Sequence, residues 1–495
     1  MTENEVGEDA LHAVRLEKLG ELKKLGLEAY PYSFAVTASA AELAKRYESL
    51  PAKTETQDRV AIAGRIRSIR NSGMFIDLHD ASGKIQVFSH KDILPEAGMA
   101  VVRLLDIGDI IGIEGLIRRT PRGELTVNAE KVVLLAKALR PLPEKYHSLA
   151  DVETRYRQRY VDLIVTEQSR ETLRKRSQVI SVFRRVLAAR GALEVETPML
   201  HTIPGGASAK PFITHHNALD MDLYLRIAPE LHLKRLIVGG LADTVFEINR
   251  CFRNEGISPR HNPEFTTLEL YAAYVDYTAM IAIIEELITA AAREVAGGLQ
   301  ISYGGKAIDL TAPWPRKSMA ELVREKTGVD FLAIADDAVA RQQARALGAE
   351  VHETSGWGRA LEGVFAHKVE DALIQPIHVT EFPREISPLA KGHRGNDQRL
   401  TERFETYING WEVANAFSEI NDPRDQQARF EAQMRERELG DEEAQRLDAD
   451  YVTALEYGMP PAGGLGLGID RLVMILTDSP SIRDVIAFPT MRPKA

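Results

Sequence analysis

The stretch Phe252–Phe265, FRNEGISPRHNPEF, crowds two arginines, a histidine, two glutamates and two prolines into one connection. The segment before it, TVFEINRCF, alternates. Phe246, Ile248 and Phe252 are apolar, while Glu247, Asn249 and Cys251, continued by Arg253 and Glu255, take the opposite parity. The segment after it, FTTLELYAAY, sets Leu268 and Leu270 on one face and Phe265, Thr267, Glu269 and Tyr271 on the other. Side chains alternate across a strand, so each segment has one core face and one face rich in functional groups. Two such strands joined by a Gly/Ser/Pro/Asn loop predict an antiparallel pair with a long connection. Pairing then brings an arginine, several carboxylates, a phenylalanine and a tyrosine onto one floor. The alternative for this stretch alone is a solvated sheet face with incidental ion pairs.

The chain around this floor has 495 residues, enough for two or three domains and a large core. No apolar run reaches the eighteen or so residues of a membrane span, and TAMIAIIEELITAAA is broken by Glu285 and Glu286, so no membrane partner is expected. The first ten residues, MTENEVGEDA, lack the apolar core of a signal peptide. A single cysteine, Cys251, precludes intramolecular disulfides and a thiolate zinc site. These features predict a cytoplasmic protein. A net charge of -10 argues at first against nucleic acid, but it is unevenly spread. Residues 1–150 hold 21 basic and 21 acidic side chains, leaving 41 and 51 for the remainder. A neutral first third can still present a basic face to RNA.

Leucines at 16, 19, 22 and 25 predict a short amphipathic helix over 11–27 within a helical extension, 1–58. From Val60 to about Lys137 the pattern changes to five short strands separated by Gly or Asp turns, which predicts a small barrel within a domain at 59–140. Arg65, Arg67 and Arg70 alternate with Ile66 and Ile69 near Phe75, Gln86 and Phe88, offering phosphate contacts beside a base-stacking aromatic. A structural barrel with a solvated arginine row is the alternative. The Pro-containing, charge-rich segment 141–160 reads as a linker. Beyond it, SQVISVFRRVLAARGALEVETPML predicts a helix with Val179, Phe183, Val186 and Leu187 on one face, ended by Gly191 and followed by a strand to Pro198. MDLYLRIAPELHLKRL predicts a strand leading into a helix that opens at Pro229–Glu230. Residues 318–375 read as an inserted helical subdomain.

Two further stretches carry chemistry. RFETYINGWEVANAFSEIND contains Asn409-Gly410, a strong hairpin signal, and GGLGLGIDRLVMIL is a glycine-rich strand or turn entering an apolar helix. The latter is neither a dinucleotide fingerprint nor a P-loop. Arg253, Arg260, His261 and Arg471 suit a triphosphate, Phe265 can cover a purine, and Glu405 and Glu412 are hard oxygen ligands for magnesium carried with the phosphates. Regular hairpin parity puts Glu405 and Glu412 on one face and Asn415 and Glu419 on the other. One site for all four therefore requires a bulge between 412 and 415.

FRNE…RHNPEF resembles the second signature motif of class II aminoacyl-tRNA synthetases, GLGLGIDR the third, and LEVETPML with Pro198 the first, which forms the dimer interface in that class. An amino-terminal nucleic-acid-binding barrel marks the aspartate/asparagine/lysine subgroup. GGASAKPF, RIAPELHLKRL, EGISPRHNPEFT, TLELYAAY and ANAFSEIND resemble its lysine members, so the likeness spans essentially the whole chain. The signatures of the other synthetase class are absent.

The resemblance implies an α+β chain, an OB-fold β-barrel for anticodon binding followed by a class II catalytic domain (161–495) built on an antiparallel sheet flanked by helices. It implies a homodimer that activates L-lysine with ATP and magnesium and charges lysine tRNA. Arg253 would bridge the lysine carboxylate and the α-phosphate. Glu255 would contact the adenine side of ATP, Arg260 and His261 the terminal phosphates, and Phe265 and Arg471 would sandwich the adenine. Catalysis would rest on Arg253 and Arg471, and magnesium on Glu405 and Glu412. Gly206 and Glu230 would hold the α-amino group and Asn415 the carboxylate. Glu269, Tyr271 and Glu419, with Phe417, would form the ε-ammonium pocket. Arg65, Arg67, Phe75 and Gln86 would meet the anticodon. Three rivals remain. An aspartyl or asparaginyl enzyme should offer cations to the substrate side chain. A relative that modifies a protein would lack the barrel. A non-catalytic RNA-binding paralogue would be expected to lose Arg253, Arg471 or the Glu405/Glu412 pair.

Overall fold

Five runs of alternating residues close into a barrel: β1 (Glu55–Arg70), β2 (Phe75–His79), β3 (Lys84–Phe88), β4 (Ile110–Arg119) and β5 (Leu125–Ala136), in the order β1-β2-β3-β5-β4. The computed structural model describes residues 3–143, 151–395, 397–438 and 444–493, divided into two units, 1–151 and 152–495. Inside the barrel, Ile62, Ile66, Ile76, Leu78, Val87, Ile111, Ile113 and Val127 are all buried. Three helices belong to this unit: α1 (Glu3–Lys24), α2 (Ala40–Arg46) and α3 (Glu96–Leu104). Ser39 and Glu42 cap α2 reciprocally, satisfying two otherwise orphaned backbone donors. The helix expected at 11–27 starts earlier and ends at Lys24, and β1 starts at Glu55.

The linker expected at 141–160 lies partly outside the described residues, at 144–150. Its second half is not a linker: α4 (Val152–Arg157) and α5 (Arg159–Val165) are helical. They are followed by α6 (Glu167–Ala189), which ends before Gly191, whose φ of 77° suits a residue without Cβ. The strand expected to run to Pro198 is shorter. Only β6 (Leu193–Glu194) forms, pairing parallel to a later strand through Val245 and Phe246. The Val195 N–H still reaches Phe246 O at 2.9 Å, and Pro198 has no donor to continue the ladder. β7 (Leu200–His201), β8 (Ile213–His216) and β9 (Met221–Leu225) make a small sheet, ahead of α7 (Glu230–Val238).

Next come β10 (Thr244–Phe252) and β11 (Glu264–Ala273), antiparallel with Phe246 opposite Leu270 and Glu247 opposite Glu269, as the opening stretch predicts. α8 (Tyr277–Ala291) follows, then the hairpin of β12 (Gln300–Tyr303) and β13 (Lys306–Asp309). β14 (Arg316–Ser318) runs parallel to β15 (Ile377–Thr380). Between these two strands lie α9 (Met319–Thr327), α10 (Asp337–Ala346) and α11 (Trp357–Lys368), with their own apolar cluster around Phe331, Leu361 and Phe365. β16 (Arg403–Ile408) and β17 (Trp411–Ser418) form a hairpin whose Asn409 and Gly410 have φ of 57° and 69°. α12 (Pro423–Glu438), α13 (Ala449–Glu456), β18 (Ala462–Gly468) and α14 (Ile469–Leu476) complete the frame.

The large sheet has the order β14-β15-β16-β17-β18-β11-β10-β6. It is mixed rather than wholly antiparallel: both edge pairs are parallel, and the six strands between are antiparallel. One face, carrying Phe246, Leu268, Leu270, Phe404, Ala414, Ala416, Leu465 and Leu467, is buried in a core shared with residues of α6, α8 and α14. The other face is left for chemistry.

A buried knot sets the height of that face. Arg176 on α6 donates to Asp470 on α14 and, through Nη2, to Thr266 Oγ1 on β11 (2.8 Å). Asp470 Oδ2 accepts the Thr266 N–H at 2.6 Å. Removing one member of a buried charged network leaves its partner uncompensated, typically at about 3–5 kcal/mol. Arg176→Met should therefore lower the urea midpoint of the catalytic unit by an amount corresponding to a few kcal/mol. An unchanged midpoint in equilibrium denaturation would show that the knot is dispensable.

Candidate active site

Register assembles the site in two rows across the open face. In the first, Glu405, Asn415, Gly466, Glu269 and Glu247 stand opposite one another on β16, β17, β18, β11 and β10. In the second, Arg403, Phe417, Gly464, Tyr271 and Val245 do the same. Neighbouring strands lie about 4.8 Å apart, so five strands carry one substrate-length floor. The rows hold together because β17 has a bulge. Tyr407 faces Glu412 and Thr406 faces Ala414, leaving Val413 without an opposite residue. That extra residue flips the parity and brings Glu412, Asn415 and Phe417 onto the face of Glu405, as required for a single site.

The cleft over the rows has a volume of about 480 Å³. Its lining includes Gly206, Glu230, Arg253, Glu255, Arg260, His261, Phe265, Glu269, Tyr271, Glu405, Glu412, Asn415, Phe417 and Arg471. Every cleft residue singled out in the sequence lines it except Glu419, which lies behind Gly464. A Cβ placed on Gly464 would stand 2.0 Å from Glu419 Oε1 and 2.5 Å from the Tyr271 ring. On Gly466 it would meet nothing closer than 3.9 Å. The GLGLG alternation thus bares the floor on one side while Leu465 and Leu467 fill the core on the other.

One end of the cleft is a nest of buried carboxylates. Glu230, Glu269 and Glu419 are 6%, 7% and 1% exposed. Tyr271 Oη donates to Glu269 Oε2 at 3.0 Å. Burial, then the charge of Glu230, pushes the Glu269 carboxyl up to about 8. Glu419 is also raised by burial, against the pull of Lys234. Lys234, fully buried on α7, ion-pairs with Glu419 Oε2 and donates to Glu230 Oε1 at 2.5 Å. Glu419 Oε1 meets no donor among the described residues. Glu247, at the far end of its row, is already paired with Arg226 (2.7 Å) and accepts from Thr197 Oγ1.

The other end is cationic. Arg253 lies with its guanidinium 5.1 Å from the Phe265 ring centre, and its buried Nε has no acceptor among the described residues. Arg260 stacks over Trp411 at 5.2 Å. Arg471, in the first turn of α14, donates to Glu412 O at 2.7 Å and lies 3.1 Å from His261 Nε2. Burial and then Arg471 lower the His261 imidazole below its usual range, which favours a neutral ring. Glu255 lies on the exposed side of the loop.

Glu405 and Glu412 fit a magnesium ion that brings phosphate oxygens with it. Burial and then Glu412 push the Glu405 carboxyl up to about 7, so it gains from a nearby cation. The described residues hold no cluster of three or more metal-ligating side chains. Without the ion, Glu405 accepts from Arg403 Nη2 (2.5 Å) and Tyr407 Oη (2.6 Å).

On the barrel, Phe75 packs against Phe88 at 5.2 Å and shares its face with Gln86 and Arg70. Gln86 is 7% exposed and accepts from Thr126 Oγ1, and Arg65 donates to Gly108 O at 2.8 Å, so both are engaged within the barrel. Arg67 falls at the β1 bulge between Ile66 and Ser68. Sequence reasoning missed Arg118, 4.1 Å above Phe88, and His90, stacked on Phe88 at 5.7 Å. In the cleft it missed Lys234 and Arg403. The latter shares parity with Glu405 and donates to Asn415 Oδ1 at 3.1 Å.

Residues 151–492 match the family described as tRNA synthetases class II (D, K and N), and residues 60–135 match the OB-fold nucleic acid binding domain. The lysine–tRNA ligase of Carboxydothermus hydrogenoformans is 56% identical over 483 residues, covering 97% of this chain and 98% of its own length. That of Sinorhizobium medicae is 54% identical over 482 residues, 97% of each chain. That of Rhizobium leguminosarum bv. trifolii is 52% identical over 494 residues, 100% of this chain and 99% of its own.

With its carboxyl near 8, Glu269 is mostly neutral at pH 7 and ionises as pH rises through 8. A cationic ligand favours the ionised form, so its affinity should climb over that interval. Infrared difference spectra between pH 7 and 9 should show a protonated carboxyl band vanishing. The same band should be missing from Glu269→Gln; its persistence there would assign the titration elsewhere.

Proposed function

The chain belongs to the class II tRNA synthetases (D, K and N), and on that footing we propose that it activates L-lysine with ATP and transfers it to the 3′ end of lysine tRNA. The observation that carries the amino acid is Glu419 Oε1, a buried carboxylate oxygen without a donor among the described residues, set behind Gly464 in the floor of the cleft. An ammonium leaves water only where carboxylates and hydrogen bonds replace it. An aspartate side chain would need an uncommitted cation at this end, and Lys234 is held between two glutamates.

In this reading, Gly206 and Glu230 hold the α-amino group, Asn415 and Arg253 the carboxylate, and Glu419, Glu269, Tyr271 and Phe417 the side-chain ammonium. The Arg253 guanidinium aligns a carboxylate oxygen with the α-phosphorus of ATP. The new carboxyl–phosphorus bond forms as the bond to pyrophosphate breaks. Arg260, His261 and Arg471 retain the departing phosphates, while Glu255 and Phe265 hold the adenine. Magnesium on Glu405 and Glu412 would neutralise phosphate oxygens when bound. A terminal hydroxyl of the tRNA, the 3′-hydroxyl by class resemblance, then attacks the lysyl carbonyl and AMP leaves. Positioning and charge stabilisation carry the rate, with no protein nucleophile. The barrel unit, proposed as residues 59–140, serves the anticodon, and 161–495 the chemistry.

We further infer a cytoplasmic homodimer. Among the described residues no helix is long and apolar enough to cross a membrane. Leu193, Met199 and Leu200 in the segment resembling the dimer motif, and Ile213 and Leu219 after it, are each more than 40% exposed, apolar surface that a second copy would cover.

ATP–pyrophosphate exchange tested with each amino acid in turn should respond to lysine; a response to aspartate would overturn the substrate. Glu419→Gln keeps shape and removes charge, so the lysine KM should rise by one to several orders of magnitude, from about 2–5 kcal/mol lost. The ATP KM should hold. An unchanged lysine KM would remove Glu419 from the pocket. Phe75→Ala should weaken tRNA charging by about 1–3 kcal/mol, the usual contribution of a stacked base, and spare lysine activation. Equal damage to both steps would make Phe75 a core residue.

A further inference from the structure

Lys234 is a charged side chain with no exposure at all, placed between two carboxylates assigned to opposite ends of the substrate. It sits four residues after Glu230 on α7, and its ammonium reaches across to Glu419 just beyond β17. Phe417 and Tyr271 present their rings to it at 5.3 and 5.7 Å. We propose that Lys234 is a positioning residue for the amino-acid substrate: a fixed internal cation that keeps Glu230 and Glu419 ionised and aimed at the two ammonium groups of lysine. This rests on reading the cleft as a lysine site.

The count of charges supports it. Glu247 is neutralised by Arg226 and Glu405 by Arg403, so neither enters the balance. Once a cationic ligand draws Glu269 into its ionised form, Glu230, Glu269 and Glu419 bring three negative charges, and Lys234 offsets one. Two remain, matching the two ammonium groups of the substrate, whose carboxylate is met by Arg253. Glu230 and Glu419 both contact the same nitrogen, so their oxygens are near neighbours. Without the cation, two buried carboxylates so placed would share a proton and turn towards each other, as carboxylate pairs do. Lysine would then have to expel that proton and separate them before binding. The titratable groups facing Lys234 are Glu230, Glu419, Tyr271 and Tyr451, with Glu269 beside Glu230 and Glu419. All except the tyrosines take part in the balance.

A staple between α7 and the end of β17 would also use such a pair, and the sign of a double substitution separates the two roles. Lysine-dependent ATP–pyrophosphate exchange is measured for the wild type, Lys234→Met, Glu419→Gln and the double variant, with folding checked by circular dichroism. Lys234→Met should raise the lysine KM about tenfold or more, with the ATP KM within about threefold. In Glu419→Gln, Lys234 is left partly uncompensated and repels the substrate. Adding Lys234→Met restores the balance, so the double variant should have a lower lysine KM than Glu419→Gln alone. A double variant worse than Glu419→Gln, or a folded Lys234→Met with unchanged lysine KM, overturns the proposal. If Lys234→Met does not fold, the comparison of Glu419→Gln with the double variant decides it. A wild type driven by another amino acid would remove the lysine reading itself, before any variant is compared.

Discussion

Asp470 is where three distant parts of the catalytic unit are tied together. Its two carboxylate oxygens take Arg176 from α6 and the backbone of Thr266 from β11, while its own helix follows directly from β18. One residue further on, Arg471 inherits that placement and reaches Glu412 and His261. Phe265 precedes Thr266 on β11, so the aromatic and the arginine at the phosphate end share one anchor. The residues that resemble the second and third motifs are therefore tied to each other and to α6. The geometry of the cationic end follows from this network beneath it.

The cleft concentrates charge that the fold alone would not choose. Buried carboxylates cost free energy unless partners or a ligand offset them. Here each is treated differently: Glu247 is fully paired, Glu230 is paired from one side, Glu405 is shared between an arginine and a tyrosine, and Glu269 rises towards neutrality. Two of the buried polar atoms without a partner among the described residues, Glu419 Oε1 and Arg253 Nε, belong to the carboxylate and the cationic ends respectively. The empty cleft is electrostatically unfinished at the two places where a zwitterionic amino acid and a phosphate would complete it.

Much of this was legible because alternation is a local signal. The parity of TVFEINRCF and FTTLELYAAY predicted an antiparallel pair with one functional face, and the conflict in parity along β17 required the bulge now seen at Val413. What escaped depends on tertiary burial. Arg159 and Asp162 belong to a charge-rich run that reads as a linker. Both are buried, paired at 2.7 Å, and Arg159 also donates to carbonyls near residue 486. Lys234 escaped for the same reason. A Glu–Lys pair four residues apart ordinarily marks a solvated helix face, and only the docking of α7 against β10, β11 and α13 turns it inward. The strand before Pro198 was read too long because its pairing with β10 stops at Glu194 and Pro198 has no donor to extend the ladder.

β18 contributes backbone and almost nothing else to the open face. Side chains can change rotamer on nanosecond timescales, but a strand hydrogen-bonded on both edges between β11 and β17 has no such freedom. The floor beneath the substrate is therefore among the stiffest surfaces in the molecule, and it works as a ruler. The spacing of Asn415, Glu269 and Tyr271 across it is set by main-chain ladders, not by side chains that could shift to meet a shorter ligand. A diamino acid one methylene shorter would have to leave one end unfilled, and a buried charge left unmet is a far larger penalty than the missing methylene itself. Length selectivity, on this view, is a property of the glycines.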